Sequence, residues 1–117
     1  MAVRSLNSSV LKWPNEREIK RALNEWAAEV RCTHHGIVRI GYFGSYARGD
    51  WGVGSDVDLV IIVEKSDQEK MNRPASFPKD HLPVQADLLV YTSDEWNQLM
   101  AADTRFAKTL TKEAVWL

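Results

Sequence analysis

The chain has 117 residues, 44% of them hydrophobic and 26% charged, with six glycines and four prolines, a size and balance that suit one globular domain over residues 1–117 and exclude multi-domain, fibrous and disordered classes. Fifteen basic against sixteen acidic residues leave a net charge of −1, so no direct nucleic-acid binding is expected, for want of a cationic surface. The longest apolar run, Leu59 to Val63, is far short of the ~18 residues of a membrane span, Met1 to Val10 lack the core of a secretory signal, and the single Cys32 cannot form an internal disulfide. A cytoplasmic protein is expected, with Cys32 as a small buried residue.

The first element is an amphipathic helix over Pro14 to Arg31. Ile19, Leu23, Trp26, Ala27 and Val30 recur at helical spacing while Glu16, Arg17, Glu18, Lys20 and Arg21 face elsewhere. Pro14 or Asn15 suits its first turn and Gly36 its stop. His34 and His35 have no companion ligands at a metal-binding spacing and read as helix-end residues. Ile37 to Phe43, β-branched and aromatic between two glycines, is the first strand. Ser45 to Arg48 opens a short helix, with Ser45 as its cap, before a glycine-rich loop ends it.

Val57 to Val63 is almost wholly apolar, which predicts a strand covered on both faces. Glu64 to Pro83 is polar and holds three prolines, and it reads as a solvated loop. Val84 to Tyr91 is a third strand. Thr92-Ser93-Asp94-Glu95 has the form of a capping box and should start a helix reaching about Met100. A last helix near Thr104 to Lys112 and a short closing strand in Ala114 to Leu117 complete the order.

Charge is unevenly spread: residues 51–117 hold seven basic against eleven acidic side chains. Asp56 and Asp58 stand two apart at the mouth of the apolar strand, so strand alternation sends both to one face, about 6.6 Å apart. Asp87 lies within the next apolar strand, where an ionised side chain needs a partner. Pairing of these strands would bring the three carboxylates together. Repulsion among them is relieved most simply by divalent cations with hard oxygen ligands, Mg²⁺ or Mn²⁺, and two such ions suit phosphoryl or nucleotidyl transfer. The bland alternative is a turn cap, a strand-start residue and an ion-paired Asp87. Gly44-Ser45 adds a helix start able to receive a phosphate, with Arg48 one turn on.

Gly44-Ser45-Tyr46-Ala47-Arg48-Gly49, then Ser55-Asp56-Val57-Asp58-Leu59, then Ala86-Asp87-Leu88 together resemble the signature of the DNA polymerase β-like nucleotidyltransferase superfamily, in which a Gly-Ser pair precedes Asp-x-Asp by ten residues. Within it the chain is similar, over about residues 15–117, to the minimal nucleotidyltransferases, among them antitoxins whose partner is a helical HEPN toxin. The resemblance implies an α/β (α+β) fold with a mixed β-sheet flanked by helices. It implies Asp56, Asp58 and Asp87 as catalytic residues holding two Mg²⁺ ions, and Gly44, Ser45, Arg48 and Ser55 as the nucleotide-binding set. The expected activity is transfer of AMP from ATP to a tyrosine of the HEPN toxin, in a type VII-like toxin–antitoxin module, within a homo- or hetero-oligomer. The chain ends about thirty residues after Asp87, leaving little room for its own acceptor site. A small-molecule hydroxyl acceptor and a non-catalytic binding antitoxin are the competing readings.

Overall fold

The computed structural model describes residues 13–117; the Met1 to Val10 stretch considered for a secretory signal lies outside the described residues. Helix α1 spans Glu16–Thr33. Asn15 caps it: its side chain accepts from the Glu18 amide at 2.8 Å while the Glu18 carboxylate accepts from the Asn15 amide at 3.1 Å. This reciprocal box satisfies two of the donors that a helix start leaves without partners. The helix stops at His34, two residues before Gly36, with the His34 amide bonded to the Val30 carbonyl. The His34 ring then stacks on Phe77 at 4.4 Å and reaches the Ser76 carbonyl at 2.8 Å, a packing role.

Four strands follow: β1 Ile37–Phe43, β2 Val57–Val63, β3 Ala86–Thr92 and β4 Val115–Trp116. Their spatial order is β3-β2-β1-β4, with β2 and β3 parallel and the other pairs antiparallel. The sheet is therefore mixed, as the resemblance to the nucleotidyltransferases implied. Helix α2, Ser45–Arg48, joins β1 to the loop before β2; α3, Ser93–Ala101, and α4, Arg105–Glu113, lie between β3 and β4.

Alternation along the strands sorts the core into two layers. Val57, Leu59 and Ile61 of β2, Leu88 and Val90 of β3 and Ile40 and Tyr42 of β1 pack with the α1 stripe Ile19, Leu23, Trp26, Ala27 and Val30. The opposite face buries Val60, Ile62 and Tyr91 beneath α3 and α4, which contribute Trp96 against Tyr91 and the buried Ala107 and Leu110. Cover on both faces explains why β2 carries so few polar residues. Asp58 belongs to the second face and sits at its open end.

Two expectations are corrected. Cys32 is exposed, because two helical steps carry it about 200° round from Val30 and off the apolar stripe. The Glu64 to Pro83 segment is anchored rather than solvated. It contains a 3-10 helix, Lys70–Ser76, and its Arg73 is 6% exposed. Arg73 donates to the carbonyls of Gln68 and Val90 and pairs with both carboxylate oxygens of Glu95 at 2.6 and 3.2 Å. Phe77 and Val84 are buried alongside, and the Trp26 indole donates to the Pro78 carbonyl at 2.8 Å. Among the described residues no helix is long and apolar enough to cross a membrane.

Candidate active site

Strand β1 delivers Phe43 opposite Asp58 of β2, and the residue that follows Phe43 is Gly44, with φ 77° and ψ −150°. That backbone region is essentially closed to residues with a side chain. A second constraint acts at the same atom, since a Cβ on Gly44 would overlap the Asp58 carboxylate oxygen Oδ2. The glycine therefore lets β1 turn into α2 directly beneath the carboxylate. Gly44, not Ser45, is the cap: the Ala47 and Arg48 amides both donate to its carbonyl at 3.0 Å. Ser45 becomes the first helical residue because the turn needs a positive φ that serine adopts poorly. With no side-chain cap, the leading amides of this turn lack the partner a serine cap would supply.

Asp58 and Asp87 are directly paired across the parallel β2–β3 ladder. Asp56 precedes the strand by one residue, and between the two aspartates Val57 is fully buried with its amide donating to the Gln85 carbonyl at 2.9 Å. Asp58 is half-buried; Asp56 and Asp87 are exposed. β3 starts at Ala86 rather than Val84, so Asp87 lies at the strand's open end, exposed to solvent. Burial, then the negative charges of Asp87 and Asp56, raise the Asp58 pKa above the ordinary carboxylate value, and Arg48 opposes them. The three carboxylates thus share one electrostatic neighbourhood. Among the described residues, however, no three Asp, Glu, His or Cys side chains converge closely enough to enclose an ion. The donor set is right for a hard divalent cation, and mutual repulsion is what a cation would relieve.

A family model described as a nucleotidyltransferase domain matches residues 24–117, which includes Gly44, Ser45 and all three aspartates. The chain belongs to the nucleotidyltransferase domain family. No curated protein matches it. Among solved structures, this nucleotidyltransferase is similar to a candidate nucleotidyltransferase from Sulfolobus solfataricus, with a TM-score of 0.62 and 19% identity over 86% of this chain and 80% of the other. A toxin–antitoxin with AMP-PNP is similar at a TM-score of 0.54 and 20% identity, over 88% of this chain and 72% of that one. At such identities the likeness is one of fold, a mixed sheet flanked by helices.

The remaining candidates of the nucleotidyltransferase are placed less uniformly. Arg48 is held by Asp50 at 2.9 Å and by Glu113 of α4 at 3.1 Å, so its guanidinium is shared between two carboxylates while its charge still reaches Asp58. The Ser55 hydroxyl accepts the Gly52 amide at 2.9 Å, a bond that shapes the loop before Asp56. Sequence reasoning missed Tyr46. It is 6% exposed, its ring stacks on Trp51 at 5.0 Å, and its hydroxyl donates to the Ser55 carbonyl at 2.8 Å. The two aromatics, five residues apart on either side of Gly49, were the available signal.

Proposed function

We propose that this nucleotidyltransferase transfers AMP from ATP to a hydroxyl of another protein, a tyrosine of a helical HEPN toxin, and so serves as the antitoxin of a type VII-like module. The observation that carries the reading is the pairing of Asp58 with Asp87, with Asp56 one residue ahead of the strand and Gly44 immediately against Asp58. The fold shared with a toxin–antitoxin with AMP-PNP supports a toxin as partner and an adenine nucleotide as substrate.

Asp56, Asp58 and Asp87 are the residues that would hold two Mg²⁺ ions, or Mn²⁺ in their place. Bound there, such ions supply charge compensation for a triphosphate and for the attacking and leaving oxygens. The chain's own groups divide the remaining work. The α2 amides and the Ser45 hydroxyl receive phosphate oxygens, Arg48 adds positive charge, and Ser55 shapes the wall. Asp87, hydrated and at the strand end, takes the proton of the acceptor hydroxyl as its oxygen bonds to the α-phosphorus and the bond to pyrophosphate breaks.

The test is to combine the protein with ATP, Mg²⁺ and the product of the neighbouring gene, and to weigh that partner. Mass gains in whole AMP units that disappear with Asp56→Asn and Asp58→Asn support the transferase. Equal inhibition of the partner by the double variant, without a mass change, makes the protein a binding antitoxin. Label passing from ATP to low-molecular-weight hydroxyl compounds without any partner makes it a small-molecule enzyme.

A further inference from the structure

The two halves of the site come from different segments: Gly44-Ser45 ends β1, and Asp56-Val57-Asp58 opens β2. The loop 49–55 between them contains Gly49, Gly52 and Gly54 and carries Val53 at 76% exposure. Its glycines leave the backbone free, so its height depends on the contacts of Asp50, Trp51 and Ser55, of which the Arg48–Asp50 pair and the Asp50 amide bonded to the Ser45 carbonyl act at the end away from Asp56. The Asp58 side of the site is fixed by the sheet, but Asp56 lies outside the ladder register with β3, one residue before it begins.

We propose that Tyr46 is a positioning residue for Asp56, acting through the Ser55 carbonyl; the inference rests on the nucleotidyltransferase reading of the site. Tyr46 follows Ser45 on α2, so its backbone is part of the phosphate-side half. Its hydroxyl donates 2.8 Å to the Ser55 carbonyl, and the Ser55–Asp56 peptide that carries this carbonyl is followed by the Asp56–Val57 peptide, whose amide is pinned to Gln85 at 2.9 Å. The peptide that leads into Asp56 is therefore held from one side by Tyr46, and Val57 beyond it by the neighbouring strand segment. The Tyr46 ring, stacked on Trp51 with 13° between the planes, closes the loop from the other end, and the Gly52 amide bonded to Ser55 Oγ tightens the turn between them. One tyrosine thus sets the distance between the cradle and the first carboxylate. The order imposed here before a ligand arrives is entropy that binding need not remove.

The variant is Tyr46→Phe, which keeps the stacked ring and removes the one hydroxyl. Three quantities are read on the full chain: thermal stability, affinity for AMP-PNP without metal, and affinity for Mn²⁺ in the presence of AMP-PNP, by calorimetry and electron paramagnetic resonance. The expected result is a melting temperature within a few degrees of wild type, metal-free nucleotide affinity within twofold, and Mn²⁺ affinity weaker by about tenfold, the scale on which supports of metal ligands act. Amide hydrogen exchange should quicken within residues 49–56 and not in the β1–β2 ladder. Unchanged Mn²⁺ affinity, or a drop in melting temperature with Mn²⁺ affinity intact, makes Tyr46 merely structural and overturns the inference. Should the variant be too unstable for titration, unaltered exchange at residues 49–56 in native buffer overturns it equally. Failure of the wild-type protein to bind Mn²⁺ with AMP-PNP is a separate result, which removes the site reading and the inference with it.

Discussion

Asp58 and Asp87 face each other as paired residues of the parallel β2–β3 ladder, and among the described residues neither is in an ion pair. Like charges directly opposite on adjacent strands oppose folding, and Asp58 bears the larger burden because it is the less hydrated of the two.

Replacing that charge should therefore stabilise the metal-free protein while removing its activity. The folded pKa of Asp58 is raised by burial and by Asp87 and Asp56, so between its unfolded value and this higher folded one the native state binds more protons than the unfolded state. Stability from this group falls as pH rises through that window and stays low above it. Wild type minus Asp58→Asn, followed by thermal melts from pH 3 to pH 8, should show a difference that grows against the wild type as pH increases. A flat difference would mean that Asp58 is not strained by its neighbours.

Mg²⁺ should reverse the penalty. A ligand that binds only the folded chain stabilises it by about 2.7 kcal/mol at a concentration a hundredfold above its dissociation constant. Melting temperatures measured against MgCl₂ should climb for wild type and remain level for the Asp56→Asn/Asp58→Asn variant. Matching NaCl at equal ionic strength controls for screening, and an equal rise in both proteins would contradict a carboxylate-held ion.

Gly44→Ala tests the floor of the site. The substitution must place a side chain at φ 77°, ψ −150°, at a cost of about 1–3 kcal/mol, and its methyl group must displace the Asp58 carboxylate. We expect a loss of that order in urea unfolding together with loss of the Mg²⁺-dependent rise in melting temperature. Wild-type stability would show that the turn relaxes without cost.

The parts of this arrangement that the sequence announced are those with short-range causes. The Thr92/Glu95 box marks a helix start within four residues, and Asp-x-Asp at the head of an apolar run marks a strand mouth. Long-range partners leave no such trace. Arg73 reads as one more charge in a polar stretch until its partner Glu95, 22 residues away, is brought beside it, and burial of its side chain then anchors a segment that composition alone assigns to solvent. Tyr46 is similar: an aromatic after Gly-Ser says nothing about which carbonyl its hydroxyl will meet. Asp87 was placed beside Asp58 by the motif, but its hydration depends on where β3 begins, and strand ends are poorly determined by pattern.

The Arg73–Glu95 contact carries its own acid sensitivity. Hydrogen bonds from Arg73 and from the Thr92 amide lower the Glu95 pKa to about 2 from an unperturbed 4.5. A depressed carboxylate contributes stability above its unfolded pKa, and the contribution drains away as pH falls from about 4.5 towards 2. Glu95→Gln should remove that component from an acid titration of stability. It should also cost about 1 kcal/mol at neutral pH, the low end for leaving a buried charged donor less well paired, because the Glu95 side chain is 36% exposed. An acid limb identical in the two proteins would place the sensitivity elsewhere.

Arg48 separates function from stability. Its pairs with Asp50 and Glu113 are open to solvent on the arginine side, and exposed ion pairs contribute little to folding, so Arg48→Met should leave the melting temperature nearly unchanged. The same charge lowers the Asp58 pKa, and its loss should push that pKa higher still. In the transferase reaction the variant should be slowed by about a hundredfold, as for removal of a single charge-stabilising donor, with the ascending limb of its pH–rate profile displaced to higher pH. A slower reaction with an unmoved limb would confine Arg48 to contact with the triphosphate, whereas an unaltered rate would leave it only the tie between α2 and α4.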